Sequence, residues 1–383
     1  MILKILIALL AVFFGYFALR KLLPPLISLF DRANRNNRLS LSTSYEIPKY
    51  YMANPDGSIN TGRKWPGWDG WYFLALLDTQ NPAQIIRGSV MTGLYGIEGI
   101  DNYDKLLLHL SSTNVVECLF MLPQTGITLQ FHEYMPKDSY LNMRTDRLEV
   151  KVTGLGEVTG NWPVYSFKMA DPQDELELSL CYTARDIIWW ADIPGVFTYF
   201  TTFGCTEGEL KKKGEVLQKI SSMGSFEHGY AKKCFGYDLP FLPIRLGKLL
   251  FPFNVMHYHY DLLFTKEGMH GGIMLAKGFG IKVRNRGGVY LPQGEYIPVK
   301  KIKSIKYEKP KLIDIDCTAS PVTFYDEWHV EAETGKGLLR YTAKKVHPPA
   351  QVAKHMVYHS FLFEGSLGNQ PLSGTGYGEY ACM

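Results

Sequence analysis

Two segments far apart in the chain resemble each other, and each begins with closely spaced aromatic residues. The first segment runs from Trp68 to Asp78, and the second runs from His257 to Thr265. Both are typical of a half-buried strand that leads into a hairpin turn, because aromatic side chains pack well on a pleated surface. The repetition predicts two structurally similar β halves within one protein.

Strand-like alternation of polar and apolar residues continues along the body of the chain. Residues 147–153 and 174–182 alternate cleanly, which indicates strands with one face in water. Residues 282–290 are interpreted as a hairpin that turns across Asn285 to Gly288. Convincing helical patterns are scarce in the same region. We therefore predict an all-β body.

The N-terminus carries the clearest local signal, a continuous apolar run from Ile5 to Leu19 that extends to Leu23. Pro24 and Pro25 then end any helix. A helix over residues 5–23 would be about 28 Å long at roughly 1.5 Å per residue, close to the roughly 30 Å of a bilayer's hydrocarbon core. We predict one transmembrane helix within residues 1–23, followed by a polar juxtamembrane tether at residues 24–45.

The charges around this run predict its orientation. Arg20, Lys21 and three further arginines follow the run, whereas only Lys4 and the terminal amine precede it. Cytoplasmic flanks are enriched in Lys and Arg, so we expect a single-pass membrane protein whose body lies on the cytoplasmic side. The flank also lacks the small-residue cleavage site of a signal peptide, which favours a retained anchor.

Charge and cysteine content argue against several classes of function. Lys and Arg together number 41 against 37 Asp and Glu, and the longest basic run is Lys211–Lys213, so we expect no nucleic acid partner. The six cysteines are dispersed without the spacing of a zinc site, which is typical of reduced thiols. The sequence contains no nucleotide-binding loop and no nucleophile elbow. We expect neither a metal nor a cofactor.

Glu227 and His228 are the candidate catalytic residues. A glutamic acid inside an apolar, aromatic pocket would favour its neutral form and could protonate a double bond. Aromatic ring faces stabilise the cation that such a proton transfer produces. The alternative is a structural carboxylate that caps a turn or pairs with Lys232 or Lys233.

A second polar cluster lies in the later aromatic strand. His257, His259 and Asp261 occupy every second position, so a strand would place them on one face and Tyr258 and Tyr260 on the other. Such a cluster could bind a divalent metal, but we favour inward-facing side chains that are hydrogen-bonded across a barrel. Aromatic strands are also typical of plain hydrophobic core. With the aromatic residues included, the candidate ligand-binding residues are Trp68, Trp71, Tyr72, Tyr230, His257, His259 and Asp261.

The order of these segments resembles the carotenoid hydratase (hydroxyneurosporene synthase) and tocopherol-cyclase-like superfamily. The early Trp-Tyr-Phe strand at residues 71–73 is similar to the opening of that family. Residues 223–230 resemble its central element, with Glu227 and His228 in the acidic and basic places. The strand at residues 257–264 and the Gly-x-Gly-x-x-Glu segment at residues 374–380 are similar to its later elements.

The resemblance covers roughly residues 60–383 and implies a fold. It implies two lipocalin-like antiparallel β-barrel halves packed together, with a pocket for hydrophobic ligands. We place the halves at residues 46–222 and 223–383.

From the anchor and the resemblance we expect a membrane-anchored protein that binds an apolar lipid or isoprenoid in an aromatic-lined cavity. Its expected partners are that ligand and the bilayer, through residues 5–23. In the catalytic version, Glu227 donates a proton for hydration, cyclisation or isomerisation of a double bond, and His228 tunes it. The alternatives are a lipid carrier without chemistry, which needs only apolar walls, and a scaffold with a filled interior and an exposed apolar patch.

Overall fold

The structure is a computed structural model of the chain. All but the first three of its described residues lie in strands or in the short connections between them. It describes residues 14–15, 18, 68–76, 85–95, 113–122, 127–134, 141–143, 147–152, 156–171, 175–193, 197–231, 256–278, 281–313, 322–346, 350–353 and 356–382.

Eleven antiparallel strands form the first sheet. They are β1 Trp68–Leu76, β2 Ile85–Tyr95, β3 Thr113–Leu122, β4 Ile127–Tyr134, β5 Leu141–Met143, β6 Leu148–Val152, β7 Gly156–Asn161, β8 Val164–Asp171, β9 Leu176–Ile193, β10 Phe197–Lys212 and β11 Glu215–Ala231. Their order in the sheet is β4-β3-β2-β1-β11-β10-β9-β8-β7-β6-β5. The first and last strands of this half, β1 and β11, are therefore neighbours near the middle of the sheet.

Nine further strands form the second sheet. They are β12 Met256–Thr265, β13 His270–Gly278, β14 Ile281–Tyr290, β15 Tyr296–Ile313, β16 Val322–Thr334, β17 Gly337–Lys345, β18 Ala350–Ala353, β19 Met356–Leu367 and β20 Gln370–Cys382. Their order is β17-β16-β15-β14-β13-β12-β20-β19-β18, and β17 also pairs with β19. That additional pairing closes eight of the nine strands into a barrel and leaves only β18 outside it.

The all-β prediction is confirmed, but the two halves differ in closure. The first sheet is open, because its outer strands β4 and β5 do not pair with each other among the described residues. It curls instead, so that Phe73 contacts Phe167 with ring centroids 4.5 Å apart and Tyr165 contacts Phe226 at 4.1 Å. The prediction of a barrel is therefore confirmed for the second half, whereas the described strands of the first half form a curled half-barrel in which packed aromatic rings complete the core.

The passage from one sheet to the other lies after the expected boundary at residue 222. β11 runs through that position and belongs to the first sheet along its whole length. The second sheet begins at Met256. Residues near the end of β11 and the start of β12 can therefore face each other from different sheets.

Most of the expected N-terminal anchor lies outside the described residues, as does the whole tether at residues 24–45. Phe14, Gly15 and Ala18 are the described residues of the anchor, and they are helical. In the part of the chain that the structure covers, no helix combines the length and the apolar character needed to cross a bilayer.

A shared hydrophobic cluster joins the two sheets, separately from the barrel's own core. Burying one large apolar side chain contributes roughly 1.5–3 kcal/mol, so a cluster of this size can hold two sheets in a fixed arrangement. From the first sheet it takes Leu74, Trp189 and Phe203, and from the second it takes Tyr260, Leu262, Phe264, Met274, Tyr290 and Tyr377.

The predicted hairpin at residues 282–290 is wrong, because these residues form the single strand β14. Gly287 and Gly288 permit close contacts there and do not form a turn. A Cβ atom on Gly288 would lie 2.1 Å from the hydroxyl oxygen of Tyr296 and 2.4 Å from its ring. That hydroxyl accepts a 2.7 Å hydrogen bond from the indole Nε1 of Trp189 in the first sheet. The missing side chain therefore makes room for a bond between the sheets.

We expect Gly288→Ala to destabilise the protein by about 1–3 kcal/mol, because the new methyl group would displace the Tyr296 ring and break its bond to Trp189. Urea unfolding followed by tryptophan fluorescence measures the change. The matched control is Gly335→Ala, since a Cβ atom there meets no other atom within 4 Å. Equal unfolding midpoints for the two variants would contradict the role assigned to Gly288.

A candidate active site where the two sheets meet

Glu227 lies on the face of β11 that is turned toward the second sheet. Side chains alternate along a strand, so Glu227 and Ser225 share one face while Phe226 and His228 share the other. Phe226 packs against Tyr165 inside the curl of the first sheet, with ring centroids 4.1 Å apart. Glu227 must therefore project away from that core, and it is only 5 % exposed.

Two tyrosine hydroxyls donate hydrogen bonds to the carboxylate of Glu227, one from each sheet. Tyr199 on β10 donates to Oε2 at 2.5 Å, and Tyr260 on β12 donates to Oε1 at 2.6 Å. Both distances lie at the short end of the range for O–H···O hydrogen bonds, so the two phenols are held closely against this carboxyl group. Each oxygen of a buried carboxylate is therefore bonded, and the bond from Tyr260 crosses between the sheets.

Glu379, on the strand β20 that pairs with β12, is a second buried carboxyl group, and it lies on the same face of the sheet as Tyr260. It lies directly opposite Tyr260 in the ladder between β12 and β20, and it is 7 % exposed. Directly opposite residues on paired strands have Cβ atoms roughly 4.5–5.5 Å apart. Glu379 therefore adjoins the tyrosine that bonds Glu227, and the site contains two carboxyl groups.

The two tyrosines stay protonated in this environment. Burial raises the pKa of Tyr199 well above its ordinary value, and the charge of Glu227 raises it further, with a smaller contribution from Glu379. The pKa of Tyr260 is also raised, first by burial and then by the charge of Glu227. Both phenols consequently act as hydrogen-bond donors, positioned before any ligand arrives.

The neighbouring residues His228 and Glu227 lie on opposite faces of β11. His228 is fully buried and stacks on Trp71, with ring centroids 4.8 Å apart and an angle of 13° between the planes. Strand alternation thus separates the two candidate catalytic residues, and only Glu227 faces the second sheet. His228 and Trp71 belong to the core of the first sheet.

The other aromatic candidates of the first half differ in position. Tyr72 lies directly opposite Glu227 in the ladder between β1 and β11, which places it on the same face of the sheet, and its side chain is half-buried. Trp68 and Tyr230 belong to the same two strands, but their side chains lie outside the described residues. Of the first-half aromatic candidates, Tyr72 therefore adjoins the candidate site.

His257, His259 and Asp261 occupy the opposite face of β12 from Tyr260 and lie within the barrel. Asp261 Oδ2 is 2.9 Å from His259 Nε2 and accepts hydrogen bonds from Trp328 Nε1 at 2.9 Å and from Tyr341 at 2.6 Å. The sequence-predicted residues therefore divide between two places, the contact of the sheets and the barrel interior.

One group of side chains has metal-ligand geometry among the described residues, and it lies at the surface. Glu308, Glu327 and His329 have one donor atom each within 4.8 Å of one another. His329 Nε2 is 3.0 Å from a carboxylate oxygen of Glu308, and Lys309 lies 3.6 Å from Glu327. Internal ion pairs of this kind are common on exposed strand faces and account for the grouping.

Sequence reasoning missed Tyr199, Tyr260 and Glu379 as members of the site. Tyr260 and Glu379 were both within recognised segments, and the alternation of β12 already placed Tyr260 opposite to Asp261. The pairing of β12 with β20 brings Glu379 beside it, and a single sequence contains no signal for that long-range register.

No protein-family model matches the chain, and no curated protein matches it in sequence. Solved structures do match in fold. Kievitone hydratase from Nectria haematococca aligns with a TM-score of 0.53 at 11% identity, over 92% of this chain and 94% of that one. A protein named as an AttH candidate from Nitrosomonas europaea aligns with a TM-score of 0.52 at 11% identity, over 88% of this chain and 98% of that one.

At this level of identity the likeness shows the fold. The chain has the lipocalin-like arrangement of two β halves that is found in these proteins, one of which is a hydratase by name. Nearly the whole of each relative is covered, so the arrangement of both halves is shared.

We expect Tyr260→Phe to destabilise the protein by about 1–3 kcal/mol, because it keeps the packed ring but removes one of the tyrosine donors to a buried carboxyl group. Urea unfolding measures the loss. Tyr325→Phe is the control, since the half-buried ring of Tyr325 makes aromatic contacts and its hydroxyl makes no hydrogen bond among the described residues. A loss no larger than that of the control would show that the bond between the sheets is not important for stability.

Proposed function

We propose that the protein binds an apolar lipid or isoprenoid where the two sheets meet and acts on a double bond of that ligand by acid catalysis. The observation that carries the proposal is the buried carboxyl group of Glu227, with a phenol donor at each oxygen and a second carboxyl group nearby. The finer form of the proposal is a hydratase or cyclase similar to the carotenoid hydratases. The shared fold with a named hydratase supports this choice.

The reactive form in this proposal carries a proton on Glu227 and a carboxylate at Glu379. In the proposed first step, Glu227 transfers this proton to one carbon of the double bond, and the π electron pair forms the new C–H bond. The hydroxyls of Tyr199 and Tyr260 stabilise the carboxylate as its charge develops. The ring faces around the site stabilise the carbocation left on the other carbon.

The second step consumes the cation in one of two ways. In hydration, water attacks the cation and Glu379 accepts the water's extra proton, so the net reaction adds one H2O. In isomerisation, a neighbouring C–H bond supplies the electrons and its proton leaves to Glu379. In cyclisation, the π electrons of a second double bond of the ligand first attack the cation to form the ring bond, and a C–H bond beside the new cation then loses its proton to Glu379. Return of that proton to Glu227 through solvent restores the starting state in each case.

Deuterium uptake tests this mechanism whichever product is formed. The protein would be incubated in D2O with squalene or lycopene, whose double bonds gain one deuterium per protonation, and the lipid examined by mass spectrometry. We expect Glu227→Gln to lower the uptake by at least about a hundredfold, because an amide cannot supply the proton. Glu364→Gln, which changes an exposed carboxylate, is expected to leave it unchanged.

The outcomes separate the three functions. Unchanged uptake in Glu227→Gln would overturn the acid role. A lipid that copurifies in stoichiometric amount, seen by native mass spectrometry, but shows no deuterium uptake would favour a carrier. A protein that retains no lipid in several mild detergents would favour a scaffold.

We also propose that the N-terminal apolar run anchors the protein in a membrane, with its body on the cytoplasmic side. The length and flanking charges of residues 5–23 support this placement. The full chain should remain with membranes during alkaline carbonate extraction, whereas a chain that begins at residue 46 should be released. Release of the full chain would contradict the anchor, and protease protection of the body in inside-out vesicles would contradict the orientation.

A further inference from the structure

The barrel interior contains a chain of close polar contacts that the proposed reaction does not use. It begins at the fully buried Asp261 and continues through His259 and Tyr307 to His257. His259 Nδ1 lies 3.1 Å from the hydroxyl of Tyr307, and the same hydroxyl lies 3.0 Å from His257 Nε2. His257 is the second residue of β12 and is half-buried, so the chain leads from the core to one end of the barrel.

The inner end of this chain is the carboxylate of Asp261. Asp261 Oδ2 faces Trp328 Nε1, which can only donate, and the hydroxyl of Tyr341. Burial raises the pKa of Asp261, but the adjacent imidazoles of His259 and His359 and the hydrogen bond from Tyr341 lower it more, so it lies below its ordinary value. Asp261 is therefore ionised, and His259 Nε2, 2.9 Å from its oxygen Oδ2, carries a hydrogen, because two lone pairs at that distance would repel each other.

This constraint sets the direction of every other bond in the chain. In a neutral His259 with a hydrogen on Nε2, Nδ1 is an acceptor, so Tyr307 donates to it. The oxygen of Tyr307 then accepts from His257 Nε2. The remaining nitrogen, His257 Nδ1, is left with a lone pair, and it has no hydrogen-bond partner among the described residues.

A proton that reaches His257 Nδ1 need not leave its charge there. The hydrogen on His257 Nε2 can pass to Tyr307 as the hydroxyl hydrogen of Tyr307 passes to His259 Nδ1. The positive charge then rests on His259, 2.9 Å from the carboxylate of Asp261. A charge on His257 itself is disfavoured, because burial and then Lys277 and His259 lower the pKa of His257 to about 4.

The surroundings of His257 indicate what could supply the proton. Lys277 lies directly opposite His257 in the ladder between β12 and β13, where an ammonium group would stabilise an oxyanion. Tyr307 and Tyr380 lie 5.8 and 5.6 Å from the His257 ring, and Tyr325 stacks on Tyr307 at 4.5 Å. The site thus combines a proton acceptor, a cation and a wall of rings that suits a flat ligand.

We propose that this end of the barrel is a second ligand site, which takes a phenol or enol and removes its hydroxyl proton through the relay of His257, Tyr307 and His259. The O–H bond of the ligand breaks and its electron pair stays on oxygen beside Lys277. The proton goes to His257 Nδ1, and the charge moves to His259 beside Asp261. The site shares no residue with the one at Glu227, so either can exist without the other.

The test uses 4-nitrophenol, whose phenolate absorbs at a longer wavelength than its neutral form. In the presence of the full-length protein, we expect the bound probe to ionise at a pH about one unit lower than the free probe, a roughly tenfold shift in its ionisation equilibrium. Tyr307→Phe keeps the ring but breaks the relay, so the bound probe should ionise as it does in free solution. Glu364→Gln, which changes an exposed side chain outside this site, should retain the shift.

A probe that does not bind, or that binds without this shift in the unaltered protein, would overturn the proposal. An unchanged shift in Tyr307→Phe would overturn the relay. Nitrogen-15 chemical shifts of His257 in the unaltered protein give a check that does not depend on any variant folding. We expect Nε2 to carry the hydrogen and Nδ1 to be bare, and the opposite tautomer would contradict the direction of the chain.

Discussion

The alternation of side chains along β12 is the constraint on which the remaining structure depends. One face of this strand presents Tyr260 to the first sheet, and the other presents His259 and Asp261 to the interior of the barrel. A shift in register of a single residue would exchange these faces and bury each polar group in the wrong surroundings. The pairing of β12 with β13 and β20 on its two sides prevents such a shift.

Both buried acids face the same energetic problem and have a similar solution. A carboxylate removed from water is costly unless donors replace the lost hydration. Glu227 accepts hydrogen bonds from two tyrosine hydroxyls. Asp261 accepts hydrogen bonds from an indole and a tyrosine hydroxyl, and its Oδ2 lies 2.9 Å from an imidazole nitrogen. The difference lies in their positions, since one donor to Glu227 comes from another sheet, whereas every donor to Asp261 comes from its own barrel. Relative movement of the sheets would therefore perturb Glu227 and leave Asp261 unaffected.

The sequence was sufficient for the strand content, because period-two alternation and aromatic enrichment are local signals. The same rule placed His257, His259 and Asp261 on one face of a strand. Local signals do not encode closure, so the open first sheet could not be distinguished from a barrel. They also misassigned Asn285 to Gly288, since the glycines that favour a turn equally permit the close approach of Tyr296 within a strand.

The candidate site was only partly predictable for the same reason. Glu227 was identified from the resemblance of residues 223–230 to the central element of a known family, but its pairing with His228 ignored the alternation that places successive residues on opposite faces. Tyr199 and Tyr260 lie 28 and 33 residues from Glu227 in the chain, and only the assembled sheets bring them together. Contacts of this kind depend on strand register over long separations, which no local pattern in one sequence specifies.

The bond between Tyr260 and Glu227 has a consequence for how this protein could change over evolutionary time. Replacing one half by the corresponding half of a distant relative would remove the Tyr260 donor from the buried carboxyl group of Glu227. It would also bring together two apolar faces whose side chains do not fit each other. The two halves can therefore diverge only together, and recombination between them would be selected against even if each half folded. Two halves that form separate sheets are in this way tied together as a single inherited unit.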